Sequence, residues 1–265
     1  MPRPYTSLRM ERKVATRPRA FVGVRGPDAE DYLQRMLSND VAVLTVGEAC
    51  DALLLTPKAR VIAPMRVFRR GAEDFLLLTE PQLGEPLRDE LVRMRFAAKA
   101  EIGLEEHGSY LLVGARDGGI ANEDYGVPAA EILDREPPSE LPRLDDAELE
   151  ALRIAAATPR FGSEIDDRVL PAEAGLVERA ISLEKGCYPG QEPVARLHYR
   201  GHANRQLRVL DVQGAESGDE LVLDGKVVGR VTSAVGALAL AYVRAEVPSD
   251  AVLDAGAGKR ATIRK

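Results

Sequence analysis

The sequence predicts a chain that mixes helices and strands as far as about Ala203 and consists of short strands beyond it. Three observations carry this. Before Ala203, apolar residues recur at helical spacing in three stretches, each set among strand-like runs. From Arg205 the pattern changes to six short alternating runs with no helical stretch, which suggests a small barrel or sandwich. Asp224-Gly225 separates two of those runs, a strong hairpin signal because both residues tolerate positive φ.

Taken in order, Ala20 to Val24 reads as a strand. Gly26-Pro27 breaks it, and Ala29, Tyr32, Leu33, Met36 and Leu37 then form a helical stripe that Ser38-Asn39-Asp40 ends. Asp51 to Thr56, Val61 to Arg69 and Asp74 to Thr79 read as strands joined by short turns. Pro81 and Pro86 precede a second helix to about Met94, with Leu87, Leu91 and Met94 as its apolar face. Ala100 to Glu105 and Ser109 to Gly114 are strand candidates, and Glu136 to Pro142 is a connector with three prolines. Asp145 to Ala157 carries the signature of a capped helix: Asp145, Glu148 three residues on, and Leu149, Leu152 and Ala156 on one face. The last strands fall at Gln206 to Val212, Glu220 to Leu223, Lys226 to Ser233, Ala237 to Arg244, Val252 to Asp254 and Arg260 to Ile263. The chain therefore divides near Ala203, into 1–203 and 204–265.

The totals bound the function. A chain of 265 residues, 45% hydrophobic and 29% charged, is ordinary globular composition. A formal charge of −6 argues against general nucleic-acid affinity, though not against a local basic patch. Two cysteines far apart and three scattered histidines form neither a disulfide framework nor a metal-ligand set. No secretory signal and no bilayer-length apolar run are present, so a cytoplasmic protein is expected. Arg9, Arg12, Lys13, Arg17 and Arg19 are rich for a leader, but Glu11 and the lack of an amphipathic run weaken a transit peptide.

Lys185 to Arg196 concentrates the chemistry. Cys187 stands among Gly186, Pro189 and Gly190, with Lys185 beside it and Arg196 near. The glycines and proline predict a shaped loop, and the cations favour thiolate over thiol. The plain alternative for Cys187 is a small buried hydrophobe. Around it, Lys185, Arg196, Arg200, Arg205 and Arg208 face only Glu192, a local excess of four positive charges. Such a rim suits a carboxylate-bearing ligand, a phosphate backbone, or simply solvent at a strand edge.

The stretch Lys-Gly-Cys-Tyr-x-Gly-Gln-Glu-x-Val-Ala-Arg, running on into His198-Tyr199-Arg200-Gly201, closely resembles the signature of the YgfZ family of folate-binding proteins. These are relatives of the glycine-cleavage T-protein, an aminomethyltransferase. Val24-Arg25-Gly26 to Val41, Leu54 to Lys58, and Leu170-Pro171-Ala172-Glu173-Ala174-Gly175-Leu176 extend the likeness. The resemblance implies an α+β T-protein-like folate-binding domain followed by a small C-terminal β-barrel. It implies tetrahydrofolate as cofactor, Glu173 on the pterin ring, Cys187 as the reactive group, and Lys185, Tyr188, Gln191, Arg196 and Arg200 as folate-binding residues. The arginines would take the glutamyl tail. The T-protein's catalytic aspartate falls at Ala63 or Pro64 here, and neither can carry a proton, although Asp74 could lie near in space.

The implied function is an accessory protein for iron–sulfur enzyme assembly or repair, including enzymes that modify tRNA. Its partners would be folate, polyglutamylated forms included, and iron–sulfur enzymes or assembly proteins. The rivals are a folate-dependent aminomethyltransferase or demethylase, and an RNA-associated module that uses the arginine-rich strand; direct nucleic-acid binding is the less favoured of the partner readings.

Overall fold

In the computed structural model, which describes residues 11–264, the chain opens with β1 (Lys13–Ala15) and β2 (Ala20–Arg25). Helix α1 (Ala29–Met36), strands β3 (Ala49–Leu55), β4 (Val61–Gly71) and β5 (Asp74–Thr79), and helix α2 (Gly84–Met94) follow. Then come β6 (Glu101–Glu105), β7 (Ser109–Val113), β8 (Ile120–Asn122), β9 (Ala129–Leu133) and α3 (Asp146–Ala155). The short α4 (Val177–Ala180) and α5 (Gln191–Arg200) lead to the last six strands. These are β10 (Arg205–Asp211), β11 (Glu220–Leu223), β12 (Lys226–Val235), β13 (Leu238–Arg244), β14 (Val252–Asp254) and β15 (Arg260–Ile263). Residues 1–10, which include Arg9 and the start of the sequence judged free of a secretory signal, lie outside the described residues.

Three antiparallel sheets result: β3-β4-β5-β2-β6, β1-β7-β9-β8, and a closed barrel ordered β10-β13-β12-β11-β14-β15. The apolar run Phe75 to Leu78 explains the layering. A strand with no polar alternation is covered on both faces. Phe75 and Leu77 pack under α1 and α2 with Tyr32, Leu33 and Leu87. Leu76 and Leu78 face the other way, against Phe21 and Ile120. The first sheet thus has helices on one side and the second sheet on the other.

Local signals hold where the sequence carries them. Asp145 caps α3, accepting from the Glu148 N–H at 2.7 Å while Glu148 returns the bond at 3.0 Å. Asp224 and Gly225 both take positive φ at the β11–β12 turn, as a two-residue hairpin requires. The barrel is latched to the rest through Glu164. That fully buried carboxylate accepts from Ser233 at 2.6 Å, Thr232 at 2.8 Å and Arg153 at 2.9 Å. Among the described residues no helix is long and apolar enough to cross a membrane.

One expectation is corrected. The stretch read as a continuing loop and strand edge is helix α5 from Gln191 to Arg200. Gly190 at φ +83° ends the loop, and Pro193 in the first turn lacks an N–H that would have no partner there. Arg17 and Arg19 belong to the folded core, pairing with Asp124, Glu80 and Glu131. Strands β1, β8 and β9 were not anticipated, being short and framed by polar residues.

Candidate functional site

Two concave regions stand out. The first lies where both sheets meet the 153–180 segment, and its walls are ionic. Asp124 is at its centre, 2.7 Å from Arg17 and 2.9 Å from Arg179, with Arg19 and Arg66 each at 3.7 Å. Arg66 pairs with Asp51 at 2.6 Å, and Arg19 forks onto Glu131 at 2.9 and 3.0 Å. Burial alone would raise the Asp124 carboxyl; Arg17, Arg66, Arg19 and Arg179 overcome it and hold Asp124 well below the carboxylate range. The free space inside is about 60 Å³. Ligand pockets run to roughly 300–1,000 Å³, so this inner cavity is a packed ionic core. At its mouth, Arg17, Glu80, Tyr125 and Arg160 also wall an outer pocket of about 460 Å³, within that range.

Pro64 lines the inner cavity, whereas Ala63 is buried on the helix side of the sheet. Of the two residues onto which the T-protein resemblance puts the catalytic aspartate, Pro64 is the one that faces the cavity. Its carbonyl accepts from the Thr79 hydroxyl at 2.7 Å and its ring carries no proton. Asp74 is no substitute: it pairs with Arg25 and Arg70, away from the cavity. The carboxylates that do line the cavity, Asp51, Glu80 and Asp124, are each bound to arginine.

The signature loop is anchored on both sides of the exposed Gly186-Cys187 pair. Lys185 is buried and its ammonium donates to the carbonyls of Gln34 at 2.5 Å, Leu37 at 2.6 Å and Asn39 at 2.9 Å. A cation at the exposed carbonyls of a helix C-terminus satisfies them and favours the helix dipole. Ser38 adds a second tie, donating to the Ala180 carbonyl at 2.6 Å. Tyr188 is buried, its ring 5.3 Å from the Lys185 ammonium and its hydroxyl without a protein partner. Gly190 seats on the turn at Thr56 to Ala59, where an added Cβ would lie 2.6 Å from the Thr56 carbonyl. Gln191 reaches back to the Lys185 carbonyl. Cys187 and Gly186 before it are exposed.

The sequence argument for thiolate at Cys187 loses one support. The Lys185 ammonium is committed to α1, and the thiol that feels its charge is Cys50. Burial pushes Cys50 up to about 12, Asp51 adding to the effect, despite Arg66 and Lys185. Burial likewise brings Lys185 down to about 8. The glycines, too, serve packing: Gly190 permits a close backbone approach within the protein.

The second region is a cleft of about 410 Å³ between α5, the Leu170–Ala172 segment and the turn carrying Lys58 and Arg60. Arg196 and Arg200, four residues apart on α5, line it. None of its walls is shared with the central cavity or outer pocket. Glu173 follows the cleft wall directly but is occupied: Arg205 forks onto both oxygens at 3.2 Å, and the Leu170 N–H donates at 3.1 Å. Glu173, Lys185, Tyr188, Gln191, Arg196 and Arg200 thus do not converge on one pocket. Lys185, Tyr188 and Gln191 form the loop's support, Arg196 and Arg200 the cleft, and Glu173 an ion pair beside the barrel. The central network of Asp51, Asp124, Arg66 and Arg179 escaped sequence reasoning, because its members are scattered singly over 129 residues. Helix α5 left a signal, Glu192 and Pro193 in its first turn and Arg200 in its last.

No family model matches the chain. An uncharacterised Haemophilus influenzae protein is 31% identical over 230 residues, 81% of each chain. The tRNA-modifying protein YgfZ of Escherichia coli O127:H6 is 27% identical over 241 residues, 77% of this chain and 74% of that one. Among solved structures, the glycine cleavage system aminomethyltransferase T of Bartonella henselae superposes with a TM-score of 0.82. The superposition covers 97% of this chain and 87% of that one at 19% identity, which is a likeness of fold.

Proposed function

The chain belongs to the YgfZ family within the glycine-cleavage T-protein superfamily, and we propose that it is a cytoplasmic tetrahydrofolate-binding accessory protein. In this reading it serves iron–sulfur enzymes, among them enzymes of tRNA modification. The relatives named tRNA-modifying proteins support the direction. The observation that carries it is the exposed Cys187 on a loop whose neighbours Lys185, Tyr188, Gly190 and Gln191 are all fixed internally. A thiol held in solvent by so much buried structure is presented for reaction with another molecule.

The outer pocket fits a folate in size and chemistry. Glu80 accepts from Arg17 through Oε1 and offers Oε2 to a pterin N–H, Tyr125 is an aromatic wall, and Arg160, paired with Glu150, carries further N–H groups for a ligand carboxylate. Folate supplies a one-carbon carrier when bound. The chain's own residues would hold it, orient it and keep water from the ionic core behind. Glu173 is left out of these contacts because Arg205 takes both of its oxygens, whereas Arg17 takes only one of Glu80's. Pro64 supports an accessory role over aminomethyl transfer, since no free carboxylate stands there to handle an amine proton.

The test has two arms. Thermal unfolding with a folate panel should rise for a bound form, because ligand at about 100 times Kd adds roughly 2.7 kcal/mol. Cys187→Ser should keep that shift yet fail to restore iron–sulfur enzyme activity in a strain lacking the family member. Full rescue by Cys187→Ser sinks the reactive-thiol reading.

A further inference from the structure

The cleft along α5 has properties that the folate reading does not use. Lys58, Arg196 and Arg200 project from its rim, all exposed, and Arg60 lies between them. Among the described residues none of these four cations has a carboxylate partner; Arg60 donates only to the Arg168 carbonyl. That is unusual in a chain of net charge −6 whose arginines are otherwise mostly paired. No aspartate or glutamate lines the cleft, and Glu192, the one acid on α5, forms no ion pair with Arg196. Four like charges held close repel one another, an arrangement that an anionic ligand relieves.

The floor is apolar, built from Leu170, Pro171, Val177, Val194 and Leu197. His198 lines the same cleft, and Tyr199 stands beside it with its ring edge-on at 4.9 Å. Tyr199 is 68% exposed, an aromatic left in water next to the cations. An acidic peptide would pair with the cations but would have no use for an exposed aromatic edge or an apolar recess between charges. A single-stranded nucleic acid uses all three features: phosphates on the cations, a base on an aromatic face, a base edge in a recess.

We propose that the cleft between α5 and the Lys58–Arg60 turn is a binding site for a single-stranded nucleic acid, with RNA as the probe. Lys58, Arg60, Arg196 and Arg200 take successive phosphates, and His198 and Tyr199 stack a base. The site is separate from the proposed folate pocket and stands without it.

Fluorescence anisotropy with a labelled 12-nucleotide single-stranded RNA tests this, on the full chain without folate. Four phosphate contacts give a salt slope near −3, so affinity should fall about 50-fold between 50 and 200 mM salt. Arg196→Ala with Arg200→Ala should weaken binding at least tenfold at 50 mM salt and flatten the slope by about 1.4. Tyr199→Ala should weaken binding with the slope unchanged, because stacking releases no counterions. An RNA duplex of the same length should bind more weakly. The proposal is overturned if wild-type protein shows no salt-steep binding, or if the double variant binds as wild type. It is overturned equally if a poly-glutamate peptide competes as well as the RNA, which would make the cleft a surface for acidic protein. Folate thermal shift, measured on the same samples, reports the other site independently.

Discussion

The central cavity and the α5 cleft are both lined by cations, and they differ in what those cations touch. Around Asp124, each arginine of the network has a carboxylate within 4 Å, and the carboxylates are nearly buried. Along α5, Arg196 and Arg200 end in solvent, and among the described residues no carboxylate pairs with them. Buried charge is tolerable only when paired, because losing water costs several kcal/mol per ion. Exposed charge needs no partner and stays available to one. Pairing therefore separates charges that hold the fold together from charges free to meet a ligand. The same contrast recurs in the two thiols, Cys50 buried beside Asp51 and Cys187 in the open.

The largest effect should come from breaking the paired region. Asp124→Asn leaves Arg17, Arg19, Arg66 and Arg179 short of a charge, and removing one partner of a buried ion pair costs about 3–5 kcal/mol. Urea denaturation should show that loss, whereas Arg196→Ala or Arg200→Ala should stay within about 0.5 kcal/mol of wild type. Equal stabilities for all three variants would erase the distinction.

Acid sharpens it. The folded Asp124 carboxyl is held below its unfolded value, so its contribution is complete above that value, near pH 4, and disappears as pH falls further. Stability measured from pH 6 to pH 3 should decline in wild type and decline less steeply in Asp124→Asn, which has already lost the group. Arg200→Ala should track wild type throughout.

The thiols give a smaller contrast. With its thiol pushed up to about 12, Cys50 is almost wholly protonated near neutral pH. Iodoacetamide at pH 7.4, followed by mass spectrometry of each site, should modify Cys187 at least about ten times faster, since thiolate is the nucleophile. Comparable rates would return Cys187 to the plain role of a small hydrophobe.

The smallest expected change is at Glu173. Its pair with Arg205 is partly exposed, and such pairs contribute roughly 0–1 kcal/mol. Glu173→Gln should therefore shift stability by no more than that and leave folate affinity within about twofold. A loss of about 1.5–3 kcal/mol in folate binding, the range for hydrogen bonds to charged groups, would put the pterin against Glu173 in place of Arg205.

Most of the fold was legible because its signals are local. The Asp145–Glu148 box, the Asp224-Gly225 turn and the unbroken Phe75–Leu78 run each act over a few residues. Helix α5 was hidden by its glycine- and proline-rich approach, which reads as loop until Gly190 is seen to seat on Thr56. The site was legible only in part, because its grouping is tertiary. Sequence adjacency put Lys185 next to Cys187, while the folded chain gives that ammonium to α1, some 150 residues earlier. The role of Arg17 and Arg19 could not be read locally, because their partners Asp124 and Glu131 lie over 100 residues away.

In the proposed reading, folate sits at the mouth of the paired cavity and not along the unpaired cleft. Isothermal calorimetry with tetrahydrofolate tests it on three proteins: Thr16→Trp, which places an indole on an exposed position of the outer pocket, the Arg196→Ala/Arg200→Ala double variant, and wild type. The predicted result is at least tenfold weaker binding for Thr16→Trp, about 1.4 kcal/mol, with the double variant within twofold of wild type. Undiminished binding by Thr16→Trp together with loss in the double variant would contradict it and move the folate to the cleft.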